Sequence, residues 1–449
     1  MNINSKWIVY ILLTISLFSF SCQKYLDLKP DKKLAIPYTG NDLQAILDNI
    51  PRINDGESAL SEIAADNFFL PYANWQGIEE IENRESYIWQ NTPVAELYWS
   101  YMYRKIYDSN FVLEYIDKVS YQSSLQRDYI YGNARLIRGI AFQKLAEVFC
   151  IPFWKGMVND NSFGLVLKLS SDINETNKRA TLFETHKQIS EDLIEASKYL
   201  PPNISEYPTR PSKVVAYAAL ARYLLSIQDY PGAYNYANLS LQIKSTLSNY
   251  NNIPLVPYPF NLYNDEILYF TRSYPYRNLS EDNARVDTVL YNYYDDADLR
   301  KEILFKKQLD GYHSFVGDYS KSNFEKFTGL TTAEMYLIRA ECLTREKKYL
   351  EAQNDLLLLL KSRYVSNYDF TSLLLGLEPV NLLSQILLER RKELIGRGVR
   401  WTDIRRLAFE RPIQMKRILL DKTYILENDD IKGFAFNLPQ VVIDRGNYE

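Results

Sequence analysis

Most catalytic and metal chemistry in proteins is carried by a few side-chain types, and two of these are scarce here. The 449 residues include two histidines, His186 and His313, and three cysteines, Cys22, Cys150 and Cys342. A zinc site built on Cys and His clusters needs several such ligands at close spacing, and a Cys–His nucleophile pair would need the fold to join distant positions. The acidic group Asp295, Asp296 and Asp298 raises the question of calcium, but counting from Asp296 the fifth position is Arg300 and no glycine stands at the sixth. The EF-hand spacing therefore fails, which leaves only a loop site of irregular design. Glycoside hydrolysis needs two carboxyl groups about 5–9 Å apart, and nothing singles out a pair among the 56 acidic residues. The expectation is a protein that is not an enzyme and needs neither metal nor cofactor.

Aromatic residues are where binding chemistry is concentrated. The chain has 37 Tyr, against 20 Phe and 6 Trp, and a core does not need that many phenol hydroxyls. A pyranose ring has an apolar C–H face and a rim of hydroxyls. A flat Trp or Tyr ring matches the face, while Asn, Arg or Tyr polar groups match the rim. The run Tyr72-Ala73-Asn74-Trp75-Gln76, after Pro71, offers that mixture, with Trp75 as the leading platform. Tyr274-Pro275-Tyr276-Arg277-Asn278 is a second mixture, and Tyr293 with Tyr294 a third. The candidate glycan-binding residues are thus Tyr72, Asn74, Trp75, Tyr274, Tyr276, Arg277 and Tyr293. Trp89 and Trp99 are expected to face helices instead.

Charge excludes some partners. Lys plus Arg is 52 against 56 Asp plus Glu, a net charge of −4, whereas nucleic-acid binding needs a basic surface. The same balance argues weakly against strongly acidic polysaccharides. The basic run Glu389–Arg411 alternates Glu and Arg three and four residues apart. That pattern supports a helix and ties it to a neighbour, with Trp401 as a packing anchor.

Several elements must position these groups, and the first is an address. Lys6 precedes the apolar run Trp7–Phe20, which is too short to span a membrane and reads as a secretory signal. Ser19-Phe20-Ser21-Cys22 then resembles a bacterial lipoprotein cleavage site, although Ser19 stands where Leu is usual. Residues 1–21 are the expected signal peptide and Cys22 the lipid attachment point, where more than one acyl chain makes anchoring stable. Cys150 and Cys342 are expected to be buried thiols acting as small hydrophobes.

Beyond the signal the chain is expected to be mainly α. Tyr336, Ala340, Leu343, Ala352 and Leu356 recur at the spacing of Tyr217, Ala221, Leu224, Ala233 and Ala237. This is the pattern of a tetratricopeptide helix pair, with small residues at the close contact. A third pair is split by an insertion, with one helix over Asn133–Phe149 and another over Leu182–Leu200 that must stop at Pro201-Pro202. A long helix is expected over Val94–Val119. The helix pairs fall within about 94–243 and 332–361. Between them, about 249–327 is irregular, aromatic-rich and punctuated by prolines, with a short strand over Glu266–Thr271.

Taken in order, these elements resemble the SusD/RagB-like outer-membrane nutrient-binding lipoproteins. Tyr25-Leu26-Asp27 and Pro30 match the family's opening, and Trp99, Tyr103, Ile106 and Asn110 match one of its helices. Ala134-Arg135 with Arg138, then Arg210, Ser212, Lys213, Ala216, Leu220 and Arg222, continue the match, and so do Asp298 and Arg300. Ala333-Glu334, Tyr336-Leu337 and Arg339-Ala340-Glu341 follow. The last block is Glu389-Arg390-Arg391, Glu393-Leu394, Gly398, Arg400-Trp401, Asp403 and Arg405-Arg406. Thr331 and Arg397 depart from the usual pattern, where Arg and Glu respectively are common.

The resemblance implies a SusD-like fold over 22–449, in which tetratricopeptide-like pairs scaffold an irregular lobe. It further implies a non-catalytic lipoprotein anchored at the cell surface of the outer membrane. Such a protein holds an oligosaccharide or polysaccharide for a SusC-like TonB-dependent transporter. Two alternatives stay open: a peptide ligand, as in RagB-type members, or a scaffold subunit with no ligand of its own.

Overall fold

The computed structural model describes residues 36–90, 93–157, 162–175, 178–371, 378–411, 413–426 and 431–446. The expected signal segment and Cys22 lie outside the described residues.

Local capping decides where many of the helices begin. Helix α1 (Gly40–Leu47) opens on a reciprocal box in which the Thr39 hydroxyl accepts from the Asp42 amide and the Asp42 carboxylate accepts from the Thr39 amide. Short elements follow: α2 (Leu60–Ala64), β1 (Phe68–Phe69), α3 (Tyr72–Gln76) and α4 (Ile81–Tyr87). Two long helices come next, α5 (Leu97–Tyr115) and α6 (Ser124–Phe149). Helix α6 starts nine residues before the expected Asn133, because the Ser123 side chain caps the Gln126 amide. It ends at Cys150, two residues before Pro152.

The insertion forms an antiparallel pair, β2 (Phe163–Val166) with β3 (Arg179–Thr181). Helix α7 (Leu182–Tyr199) carries a second capping box, Thr181 with Glu184, and stops before Pro201. Helices α8 (Lys213–Ser226) and α9 (Tyr230–Ile243) follow. The lobe after them holds β4 (Ile267–Tyr269), β5 (Arg285–Val286), α10 (Thr288–Asn292), β6 (Phe305–Lys307), β7 (His313–Phe315) and β8 (Leu330–Thr331). Helices α11 (Thr332–Arg345), α12 (Tyr349–Lys361), α13 (Pro379–Glu393) and α14 (Arg400–Leu407) complete the scaffold. The chain then forms β9 (Met415–Leu419), β10 (Lys422–Leu426) and α15 (Gln440–Gly446).

The helices stack in sequence, α5 on α6, α6 on α7, α7 on α8, α8 on α9, α9 on α11, and α11 on both α12 and α13. This mainly helical, paired architecture is the one expected from the spacing, and it agrees with the SusD-like fold that the resemblance implies. The small residues lie at the contacts: Ala221, Ala233, Ala237, Ala340 and Ala352 are all fully buried. Helices α6 and α7 approach closely at Gly139, where a Cβ would meet the Leu193 side chain at 2.9 Å and force it to shift. Strands are few and pair only as two-stranded antiparallel ladders among the described residues: β1–β5, β2–β3, β4–β8, β6–β7 and β9–β10. The expected strand over Glu266–Thr271 shrinks to β4, and its partner β8 leads directly into α11, tying the irregular lobe to the scaffold.

Buried charges make a second tie. Arg300 is fully buried and bonds Asp298 twice (2.9 and 2.8 Å), Glu389 (2.6 Å) and Glu393 (3.0 Å). Lys392 bridges Asp298 and Glu389, while Arg363 joins Glu393 to Glu266. Asp298 of the acidic triplet is thus engaged by cations, whereas Asp295 and Asp296 are exposed. The Glu389–Arg411 run is a structural network: Arg390 pairs Asp403, and Arg406 pairs Glu341. Trp401 is fully buried and donates its indole N–H to the Glu147 carbonyl. Both departures from the family pattern have local uses. Thr331 caps α11 by accepting from the Glu334 amide, and the Arg397 guanidinium lies 3.8 Å over the Tyr319 ring. Cys150 and Cys342 are buried and free, and burial pushes the Cys150 thiol up to about 12.

Candidate functional site

Helix α3 is one and a half turns long, entered through Pro71, and it leaves Tyr72, Asn74 and Trp75 half-buried. The Trp75 indole N–H donates to the Arg84 carbonyl at 3.0 Å, and the Arg84 guanidinium stands 5.8 Å over the indole ring. Tyr72 lies 6.0 Å from Trp75, centroid to centroid. Trp75 therefore has its one polar group spent, and what it offers a ligand is ring surface held in a fixed orientation.

Asn74 is engaged within the protein. Its amide donates to the carbonyls of Asp282 and Asn283, at 3.1 and 3.0 Å, across more than 200 residues of sequence. Asn283 in turn donates to the Arg277 carbonyl, and Asn278 to the Asn83 carbonyl. Two of the three sequence-proposed stretches, 72–76 and 274–278, are thereby joined through the 277–283 loop. The Arg277 side chain is exposed there. Within this loop Glu281 accepts from Tyr258 at 3.1 Å and pairs with Lys306 at 2.6 Å. Burial alone would raise the Glu281 carboxyl, but the bonds from Lys306 and Tyr258 outweigh it and hold the group below its ordinary value.

The other candidates separate by burial. Tyr274 is half-buried, 5.1 Å from the Tyr101 ring. Tyr276 is buried, stacked 5.0 Å from Tyr98, and burial raises its hydroxyl well above the ordinary range. The alternation of an extended segment turns Tyr276 inward while Pro275 and Arg277 face solvent. Its ring belongs to the core. Tyr293 is half-exposed beyond α10 and makes no ring contact with the α3 group among the described residues, whereas its neighbour Tyr294 is buried and donates to the Lys392 carbonyl. Trp89 and Trp99 are both packed into the scaffold, the first through its N–H to the Ala64 carbonyl.

Sequence reasoning missed a concave surface, a cleft of about 540 Å³ between the first turns of α5, the segment 166–175 and α15. Trp99, Tyr103, Arg104, Lys168 and Arg445 contribute to its lining. Trp99 and Tyr103 stack at 4.3 Å and 21°. The available signal was the aromatic at every fourth position of α5, namely 99, 103, 107, 111 and 115, which sets a stripe of rings along one side of a helix.

Comparison with known proteins follows the same lines. A family model described as "Starch-binding associating with outer membrane", for SusD-like proteins, matches residues 24–225, and one for the SusD family matches residues 304–435. No curated protein sequence matches. Among solved structures, a SusD superfamily protein from Bacteroides thetaiotaomicron VPI-5482 is similar at 20% identity with a TM-score of 0.73, covering 91% of this chain and 98% of that one. A SusD-like carbohydrate binding protein from Bacteroides vulgatus ATCC 8482 is similar at 19% identity with a TM-score of 0.68, covering 92% and 97%. A SusD superfamily protein from Bacteroides fragilis is similar at 18% identity with a TM-score of 0.72, covering 91% and 98%. At these identities the structures speak for the fold.

Proposed function

Because the chain belongs to the SusD/RagB-like family, whose members are non-catalytic binding proteins, we propose that it captures oligosaccharide or polysaccharide at the cell surface. It then passes the glycan to a SusC-like TonB-dependent transporter in the outer membrane, to which Cys22 acylation tethers it. The observation that carries this reading is the face made by α3 and the 277–283 loop. There Asn74 locks α3, which carries Tyr72 and the oriented Trp75 ring, to the loop that carries exposed Arg277. A pyranose face needs an apolar ring and its hydroxyls need nearby polar partners, and both are present on one surface. Preorganisation matters because each side chain ordered on binding costs about 0.5–1.5 kcal/mol, and Trp75 is already held by Arg84.

Affinity electrophoresis of the protein against a panel of neutral polysaccharides tests the reading. Retardation by one of them, lost in Trp75→Ala, is the expected result. Retardation that survives Trp75→Ala moves the contact away from α3 toward Tyr274 and Tyr293. Retention of no glycan, with a transporter still co-purifying, would refute direct capture by this subunit.

A further inference from the structure

We infer that the cleft between α5, the segment 166–175 and α15 binds a saccharide bearing a single carboxylate, whose charge is taken by Arg104 and Arg445. The sugar class rests on the carbohydrate-binding reading above; the demand for an anion rests on the cleft itself.

Many arginines elsewhere in the chain have carboxylate partners. Arg52, Arg138, Arg222, Arg339 and Arg400 each reach a carboxylate within 2.8 Å. Arg104 and Arg445, on opposite sides of the cleft, have no ion-pair or hydrogen-bond partner among the described residues. The Arg104 guanidinium lies 4.5 Å over the Tyr101 ring, and its Nε is closed off from solvent with no acceptor. A guanidinium lying over a ring is held in plane yet keeps its charge. Its remaining N–H groups form the fork that matches a carboxylate in bidentate geometry. Lys168 adds a third cation, since its ammonium bonds the Glu175 carbonyl rather than a carboxylate.

Two carboxylates, Glu96 and Glu175, also line the cleft. Among the described lining residues, three cations against two anions leave an excess of one positive charge, which suits one carboxylate and disfavours a polyanion. This local balance is opposite in sign to that of the whole chain. The volume of about 540 Å³ falls within the roughly 300–1,000 Å³ typical of small-ligand sites. The half-buried Tyr103 ring, backed by buried Trp99 at 4.3 Å, supplies the aromatic wall that a sugar's C–H face requires.

The test is isothermal titration of the full-length protein in detergent with cellobiouronic acid. Cellobiose, which carries a hydroxymethyl group in place of the carboxylate, is the neutral control. The acid is expected to bind about tenfold tighter than cellobiose, the difference of one charge-assisted hydrogen-bonded pair, and to weaken as salt is raised. Arg104→Gln and, independently, Arg445→Gln should each erase most of that preference. Equal affinity for the two disaccharides, no binding of the acid at millimolar concentration, or a preference that survives both arginine variants would overturn the inference. So would tighter Arg104-dependent binding of trialanine, which would make the site one for peptide carboxylates. If neutral polysaccharides are never retained but cellobiouronic acid is held through Arg104, the α3 reading fails and the cleft assignment stands. Retention of neutral glycans without any preference for the acid is the reverse case.

Discussion

Replacing Arg300 by methionine tests the charge network that ties the irregular lobe to the helical scaffold. Arg300 sits in the lobe, next to Asp298, and it reaches Glu389 and Glu393 on α13. All four groups are buried. Removing one partner of a buried ion pair costs roughly 3–5 kcal/mol, because the remaining charges stay desolvated. Here each carboxylate keeps one cation: Asp298 and Glu389 keep Lys392, and Glu393 keeps Arg363. The expected loss is therefore at the lower end, about 3 kcal/mol. Urea unfolding followed by circular dichroism measures it, with the slope expected to be unchanged.

A second readout comes from pH. Burial opposes ionisation of Asp298 and Glu393, but Arg300 with Lys392, and Arg363 with Arg300, outweigh it and hold both carboxyls below their ordinary values. Groups depressed in the folded state contribute stability that is present above the unfolded carboxyl pKa, about 4, and is lost as pH falls through the folded values. Without Arg300 the depression is smaller, so acid unfolding should begin at higher pH. A loss below about 1 kcal/mol, the range of an exposed pair, together with an unmoved acid transition, would show that the network is not what joins lobe and scaffold.

Tyr276→Ala separates core from site: it removes a buried ring from its stack on Tyr98 and should cost about 3–5 kcal/mol in urea unfolding. Trp75→Ala should change glycan retention with much less effect on stability. The two remaining thiols offer a check on burial. Cys150 and Cys342, both buried with their thiols pushed up by desolvation, should not react with a thiol reagent at pH 8 in the native protein and should both react in urea. Rapid labelling of either thiol in the native state would contradict the packing of α6 or α11.

The helix pairs were legible because their signal is local and periodic. Alanines at the close contacts, caps such as Thr181 with Glu184, and the stop at Pro201-Pro202 act within a few residues. The start of α6 was misplaced because Ser123, a one-residue cap, lies ahead of the apolar pattern that suggested Asn133. At the site, composition pointed to Trp75 and its neighbours. It could not separate Tyr276 from Tyr274, since the inward or outward turn of each depends on the Tyr98 and Tyr101 rings contributed by α5.

By itself, then, the sequence determined a mainly helical scaffold, the scarcity of catalytic and metal-binding side chains, the concentration of aromatics and the membership of a family. Each of these is encoded in neighbouring residues or in the order of motifs. Tertiary structure alone decided that Asn74 grips the 277–283 loop and that Arg300 joins the lobe to α13. It also decided that Arg104 and Arg445 line one cleft without partners among the described residues. Those outcomes depend on groups 89 to more than 340 residues apart meeting in a low-dielectric interior or at a shared surface, and no local pattern records which distant partner a side chain will find.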